Sequence, residues 1–325
     1  MNILVTGGAG YIGSATAEAL AKAGHAVTVY DSLITGHRQA VPEEAAFVQA
    51  DLSDSHALIE TLTREKFDAI MHFAAFIEAG ESMKEPGRFF QNNFTNSLSL
   101  MENAIRAGVK RFVFSSTAAV YQSSDEPLTE ASYLAPTNVY GQTKLMVEQA
   151  LEWYRQIHDL HYASLRYFNA CGALPGRGEA HQPESHLIPL VLRVPLGQSG
   201  SISIFGTDYP TSDGTCIRDY IHISDLVSAH LLALEGLNER DQMVYNLGSG
   251  NGYSVREVIE TARRVTGQRI PATELPRRPG DSAILVASPE KIQRELGWKP
   301  QHENLHEIIT SAWAWHKWHP KGYQE

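Results

Sequence analysis

Tyr140 and Lys144 stand four residues apart in the run Y-G-Q-T-K, at the start of a segment with helical periodicity, so both side chains fall on one helix face. A phenol loses its proton near ~10 in water. An ammonium beside it stabilises the phenolate and lowers that value, which makes a general base usable near neutral pH. The same ammonium can hydrogen-bond a ribose, tying the base to a cofactor. A second set of residues, far upstream, could hold that cofactor. In T-G-G-A-G-Y-I-G, Gly7, Gly10 and Gly13 lie between an apolar run and a helical pattern. Such a turn admits unusual dihedrals, lets a pyrophosphate approach the backbone, and lets the helix pack close on a sheet. The helix N-terminus then offers N–H groups and partial positive charge to the phosphates. Asp31 ends the next apolar run, where a carboxylate would accept the adenosine ribose hydroxyls and repel a 2′-phosphate. These residues predict NAD rather than NADP.

The elements that must position them can be read from apolar runs. Ile3–Thr6, Ala26–Tyr30, Ala46–Gln49, Ala69–Phe73 and Arg111–Ser115 read as buried strands. Helical patterns at Ile12–Ala23 and His56–Lys66, the second with a cap candidate at Ser53, separate several of them. That alternation predicts a parallel sheet with helices on both faces. A longer helix from Tyr140 towards His158 and a strand at Tyr162–Phe168 follow. Ala173–Ser185, holding Pro175, Gly176, Gly178 and Pro183, reads as an irregular connection between domains. Further on, Ser254 and Glu257 form a capping box opening a helix to Val265, and Ser288-Pro289 reads as a cap and first-turn proline. The predicted fold class is α/β: a Rossmann-type, doubly wound parallel sheet with a smaller mixed α/β C-terminal substrate domain. Residues 1–172 would form the first domain and 173–325 the second, with a segment of about 216–250 returning to the Rossmann sheet.

Composition narrows the function classes. The chain of 325 residues carries 37 acidic against 27 basic residues, a net charge of −10, which argues against a nucleic-acid partner. The two cysteines, Cys171 and Cys216, lie in no metal-ligand spacing, and the 14 histidines are scattered, so no metal is expected. No apolar run approaches the roughly 18 residues that span a bilayer. Met1–Thr6 has no basic region and runs directly into a strand. The expectation is a cytoplasmic protein with no membrane partner.

The G-x-x-G-x-x-G spacing and Y-x-x-x-K together resemble the extended short-chain dehydrogenase/reductase superfamily. The second half sharpens the likeness. Arg166-Tyr167-Phe168-Asn169, the run from Ser203 to Thr215 (S-I-F-G-T-D-Y-P-T-S-D-G-T), Arg218-Asp219-Tyr220-Ile221-His222 and Arg278-Pro279-Gly280-Asp281 follow in order. Across essentially the whole chain this set resembles the UDP-glucose 4-epimerase family.

The resemblance implies a site, position by position. Ser115-Ser116-Thr117 ends the fifth strand, where the superfamily keeps a hydroxyl bridging tyrosine and substrate. Thr117 takes that role beside Tyr140 and Lys144, and Ser115 faces the cofactor. NAD, tightly bound and not consumed, would meet Gly7, Gly10, Tyr11, Ile12, Gly13, Asp31, Ser32, Thr35 and Gly36. It would also meet Asp51, Leu52, Phe73, Ala74, Ala75, Asn93 and Tyr167. Arg218 and Arg278 would hold a substrate diphosphate, as suits a guanidinium fork. Asn169 would bond a phosphate oxygen, Phe205 would lie against uracil, and Asp281 would accept from the uridine ribose. Tyr220, Phe168, Ser203, His186, Leu187 and Leu285 would complete the substrate contacts.

The implied reaction interconverts UDP-glucose and UDP-galactose by C4 oxidation, rotation of a 4-ketopyranose and hydride return. A homodimer is implied as well, through helices after Pro86 and Tyr140. Four positions depart from the family pattern. His186 replaces a frequent Asn, Ile77 a Lys in some members, and Thr117 a Ser. Leu285 stands at the gate position, where restricted members keep Tyr and N-acetyl-tolerant ones Cys or Ser. A 4,6-dehydratase would need acidic residues directly after the active hydroxyl, but Ala118-Ala119 follow Thr117. A 4-epimerase of another UDP-sugar (N-acetylhexosamine, pentose or uronate) is the nearer alternative, and a non-catalytic NAD-sensing protein the more distant one.

Overall fold

Short apolar runs capped by turns assemble in parallel, because each buries both faces under helices. In the computed structural model, which describes residues 1–278 and 281–323, seven strands form one sheet. Their order is Gln242–Leu247, His161–Tyr167, Arg111–Thr117, Ala69–His72, Asn2–Thr6, Ala26–Asp31 and Ala46–Gln49. Asn2–Thr6 pairs in parallel with Ala26–Asp31 on one side and Ala69–His72 on the other. The winding therefore reverses beside the first strand, and the crevice outside the C-terminal ends of these strands is where open α/β sheets take ligands.

The chain divides into two compact units. The first comprises Met1–Gln122, Leu134–Arg166 and Val227–Tyr245. Leu4, Ile70, Phe112, Phe114, Leu100, Met101 and Leu151 are fully buried in its core. Burial of each such side chain contributes roughly 1.5–3 kcal/mol. The helix Val139–His158 starts on a real cap, the Asn138 side chain accepting from Gly141 N at 2.8 Å. This fixes the register of the face carrying Tyr140 and Lys144.

The second unit comprises Ser123–Tyr133, Tyr167–Leu226 and Asn246–Glu325. Within it, Ile217–His222 pairs with Gly252–Ser254 antiparallel, and with Asn169–Cys171 and Ile284–Leu285 in parallel. Ile202–Phe205 pairs in parallel with Ala272–Leu275. The helix Val255–Thr266 begins on the expected capping box of Ser254 and Glu257.

Several local expectations need correction. Asp54, not Ser53, caps the helix Ser55–Arg64, accepting from His56 N and Ala57 N at 3.1 and 3.0 Å, while the Ser53 hydroxyl donates to Asp51 at 2.6 Å. Arg111–Thr117 runs two residues past the expected end and carries Thr117 within the strand. Pro289 is itself the cap residue of the helix Glu290–Leu296 rather than its first-turn residue. Ala173–Ser185 is not wholly irregular, since Ala173–Leu174 and Arg177–Gly178 pair as a short antiparallel ribbon.

Candidate active site

The first unit builds a dinucleotide cradle from backbone. Gly7 has φ +72°, and a Cβ there would lie 2.5 Å from Ala74 N, so only glycine fits. A Cβ on Gly13 would meet Gly7 O at 2.2 Å. On Gly10, by contrast, it would meet only Gly7 O, at 3.3 Å, which leaves room above the turn. No side chain caps the start of the helix Tyr11–Lys22, so an anion can take that role. Asp31 ends its strand, accepting from Ala9 N at 2.9 Å and Leu33 N at 2.8 Å. A carboxylate with about four acceptor sites keeps capacity for ribose hydroxyls. Burial pushes its pKa up, partly offset by those two N–H groups. These residues fit NAD.

Asp51 and Asn93, also assigned to the cofactor, have structural work. Asp51 accepts from the backbone and hydroxyl of Ser53, and Tyr30 donates to its carbonyl. Asn93 lies in a π-helical turn, Phe90–Thr95, and holds the backbone of Phe76 through both ends of its amide, at 2.8 and 2.9 Å. It thereby shapes the strand-end segment that follows Phe73, Ala74 and Ala75. Leu52 is buried, Ser32 and Gly36 are half-buried, and Thr35 is exposed.

Tyr140, Lys144 and Thr117 do meet. The Thr117 side chain acts on the Tyr140 phenol and favours its ionised form, and Thr117 Oγ1 accepts from Ala119 N at 3.1 Å. Lys144 Nζ lies 6.0 Å from the Tyr140 ring centroid and donates to Ser115 O at 2.7 Å. Here the electrostatics differ from the sequence expectation. Burial, opposed by the Thr117 hydrogen bond and reinforced by Glu78, raises the Tyr140 pKa to about 12 rather than lowering it. Burial of the ammonium, opposed by Glu148, depresses Lys144 to about 7.

Supporting residues were missed in the sequence because their partners are distant along the chain. A Cβ on Gly141 would meet Ala119 O at 2.3 Å, so this glycine lets the helix start approach the turn after Thr117. Ser82 Oγ accepts from Tyr140 N at 3.1 Å. One turn beyond Lys144, Glu148 takes two hydrogen bonds from Arg166, at 3.0 and 2.6 Å, and one from Ser116 at 2.5 Å. Arg166 also donates to Tyr121 Oη at 2.7 Å. The glycine directly after Tyr140 was the one available signal.

The second unit collects the residues assigned to the nucleotide. Ser203 and Phe205 alternate with the buried Ile202 and Ile204, so they face away from the core. The Arg278 guanidinium sits 4.6 Å from the Phe205 ring centroid, and its Nε donates to Asp281 at 3.0 Å. Arg218 approaches the same carboxylate at 3.9 Å. Two cations, a carboxylate and an aromatic face thus converge. Pro279 and Gly280, within the same motif, lie outside the described residues.

Asp219, between Arg218 and the buried Tyr220, is the hub behind this cluster. Its carboxylate accepts from Ser249 N and Oγ, Gly250 N and Ala287 N at 2.8–3.0 Å, and burial raises its pKa to about 6. Asn169 donates to Asp219 O at 2.7 Å, and Leu285 lies opposite Arg218 across the strand pair. The Nδ1 of His186 is held by Glu179 and Glu184 at 2.7 and 2.8 Å. Leu187 opens the following helix. Phe168 and Tyr167 are buried.

A glycine cradle, a strand-end carboxylate and a Tyr–Lys–Thr cluster at the C-terminal end of the strand Arg111–Thr117 define a dinucleotide-dependent enzyme. The family model described as the NAD dependent epimerase/dehydratase family matches residues 3–248, and the chain belongs to that family. It is similar to a UDP-glucose 4-epimerase of Lacticaseibacillus casei, 47% identical with 99% of each chain covered. A crystal structure of a UDP-glucose 4-epimerase matches it with TM-score 0.97 at 48% identity, covering 100% of both chains. The UDP-glucose 4-epimerase of Bifidobacterium longum, solved with NAD+ and UDP, matches with TM-score 0.94 at 33% identity over 99% of this chain and 100% of that one. The protein is an epimerase with NAD as its cofactor. Among the described residues, no helix is long and apolar enough to cross a membrane.

Proposed function

We propose that the protein interconverts UDP-glucose and UDP-galactose. The observation that carries this reading is the meeting of Tyr140, Thr117 and Lys144, with Ala118 and Ala119 where a dehydratase needs acidic groups. NAD, when bound, accepts a hydride from the sugar C4 and returns it to the opposite face.

The chain's own residues do the rest. Thr117 and Tyr140 take the 4-hydroxyl into a hydrogen-bonded pair, and Tyr140 receives its proton. With burial and Glu78 both holding the phenol proton, a nearby cation must favour the phenolate, and Lys144 is the cation its helix supplies. Arg218 and Arg278 anchor the diphosphate, Asp281 the uridine ribose, Phe205 the uracil, and Asn169 a phosphate oxygen. Tyr220, Phe168, Ser203, His186, Leu187 and Leu285 line the remaining substrate surface. Strong anchoring of the nucleotide leaves the sugar free to turn over, so the 4-keto form presents either face. The glycine cradle keeps NAD bound through the cycle, since there is no net redox change.

The reading includes a cytoplasmic homodimer formed through the helices after Pro86 and Tyr140. Trp153 and Ile157, four residues apart on the second of these, are 62% and 67% exposed, a pair of large apolar side chains suited to an isologous contact. Sedimentation of Trp153→Glu against the parent chain checks it: a dimer that becomes a monomer supports the assignment, and unchanged mass rejects it.

The central test is Tyr140→Phe, assayed with UDP-galactose and no added NAD. Loss of the general base should lower kcat roughly 10²–10⁴-fold while NAD stays bound. A wild-type rate in this variant would remove the mechanism.

A further inference from the structure

We infer that Glu179, His181, Glu184 and His186 form a binding site for one zinc-class divalent cation. The inference goes beyond the catalytic reading and does not depend on it. Four donor atoms, one from each side chain, lie within 4.8 Å of one another. His186 Nδ1 is 2.7 Å from Glu179 Oε1 and 2.8 Å from Glu184 Oε1, and His181 Nδ1 is 3.1 Å from Glu179 Oε1. Ligands at about 2.0–2.2 Å from a tetrahedral zinc stand roughly 3.3–3.6 Å apart. Shifts of under about an ångström at most of these contacts therefore convert the cluster into a closed coordination shell.

The chemistry selects the ion. Two carboxylates balance a divalent charge, and two imidazoles, giving up any extra proton on coordination, complete an N₂O₂ set that favours zinc over the all-oxygen preferences of calcium and magnesium. Burial gives the set an inside and an outside. The Glu179 and Glu184 side chains are 5% and 2% exposed, whereas those of His181 and His186 are 23% and 37% exposed, so solvent reaches the donors from the imidazole side. Glu184 is also pre-aimed: its Oε1 accepts from the backbone N–H groups of Ser185 and His186, both at 2.8 Å. Such outer hydrogen bonds fix a ligand's orientation.

Four protein donors leave no open position for a reacting molecule, so the role is structural. The cation would staple the segment between the strand Arg177–Gly178 and the helix Leu187–Arg193. In the sequence these histidines pass as part of a scattered set, because the E-x-H-x-x-E-x-H spacing acquires meaning only when the loop folds its side chains together.

The test uses untagged full-length protein stripped with a chelator. Equilibrium dialysis against zinc chloride should return one zinc per chain, and cobalt chloride should give the intense visible absorption of four-coordinate cobalt. The melting temperature should rise with zinc and fall back with EDTA, and magnesium chloride should do neither. His181→Ala and Glu179→Gln should each weaken zinc binding at least on the order of 10–100-fold. Because a buried-carboxylate variant can fail to fold, the cobalt spectrum of the unaltered chain stands as an independent measurement. Zinc well below one per chain, a weak octahedral cobalt spectrum, equal response to magnesium, or unchanged affinity in folded His181→Ala would overturn the site and leave an ion-pair cluster.

Discussion

Lys144 is kept in an environment that disfavours its charge, and removing it should stabilise the fold. The side chain is 3% exposed, and burial moves its pKa from an ordinary 10.5 to about 7. In that gap the unfolded chain binds a proton that the folded chain gives up, so stability rises with pH from about 7 to about 10.5. Below pH 7 both states are protonated and the folded state carries the full penalty, at most about 5 kcal/mol at 1.4 kcal/mol per pH unit.

Lys144→Met keeps the aliphatic volume and discards the charge. It also discards the hydrogen bonds to Ser115 O and Oγ, at 2.7 and 3.3 Å, a loss of about 1–2 kcal/mol. The net gain should be roughly 3 kcal/mol at pH 6, shrinking as pH climbs and gone near pH 10. Urea unfolding of the cofactor-free protein at both pH values measures it. A variant less stable than the parent at pH 6, or a difference that ignores pH, would refute the reasoning. Turnover should be lost in the same variant, since stability at an active site is commonly traded for function.

Three further outcomes follow from the geometry. Gly13→Ala puts a Cβ 2.2 Å from Gly7 O, a backbone atom that cannot step aside, so the purified variant should carry little NAD by absorbance of its denatured extract. Glu148→Gln strips the counter-charge from Arg166, with both side chains under a tenth exposed, and should cost about 3–5 kcal/mol in calorimetry or urea melts. Leu285→Tyr should lower the rate with UDP-N-acetylgalactosamine relative to UDP-galactose, and an unchanged ratio would dismiss Leu285 as the gate.

What the sequence disclosed was whatever repeats at short range. Strands such as Ala69–His72 were legible because apolar runs bounded by turns need no partner to be recognised, and the helix Val139–His158 because Tyr140 and Lys144 share its periodicity. Ala46–Gln49, expected to be buried, is instead a partly exposed edge strand. Gly7, Gly10 and Gly13 were legible because the turn uses them locally. What stayed hidden depends on chain separation. Glu148 meets Arg166 eighteen positions on, Gly141 meets Ala119, and Asp219 gathers N–H groups from positions 249, 250 and 287. No period or motif encodes such pairings. They arise only when the sheet brings its strand ends together.

The electrostatics of the Tyr140–Lys144 pair were hidden for the same reason. Four-residue spacing places Tyr140 and Lys144 on one face, but it says nothing of how dry that face is. Burial acts on both and disfavours charge on each, so the phenol rises to about 12 while the ammonium falls to about 7. Moving a proton from that phenol to a neutral-pH acceptor then costs about 7 kcal/mol. In the free protein the pair is therefore a poor base, and the ammonium is occupied with Ser115 rather than with the phenol. Under the proposed function, Lys144 together with bound NAD and sugar would have to bring hydrogen bonds or positive charge to the Tyr140 oxygen to close a gap of that size.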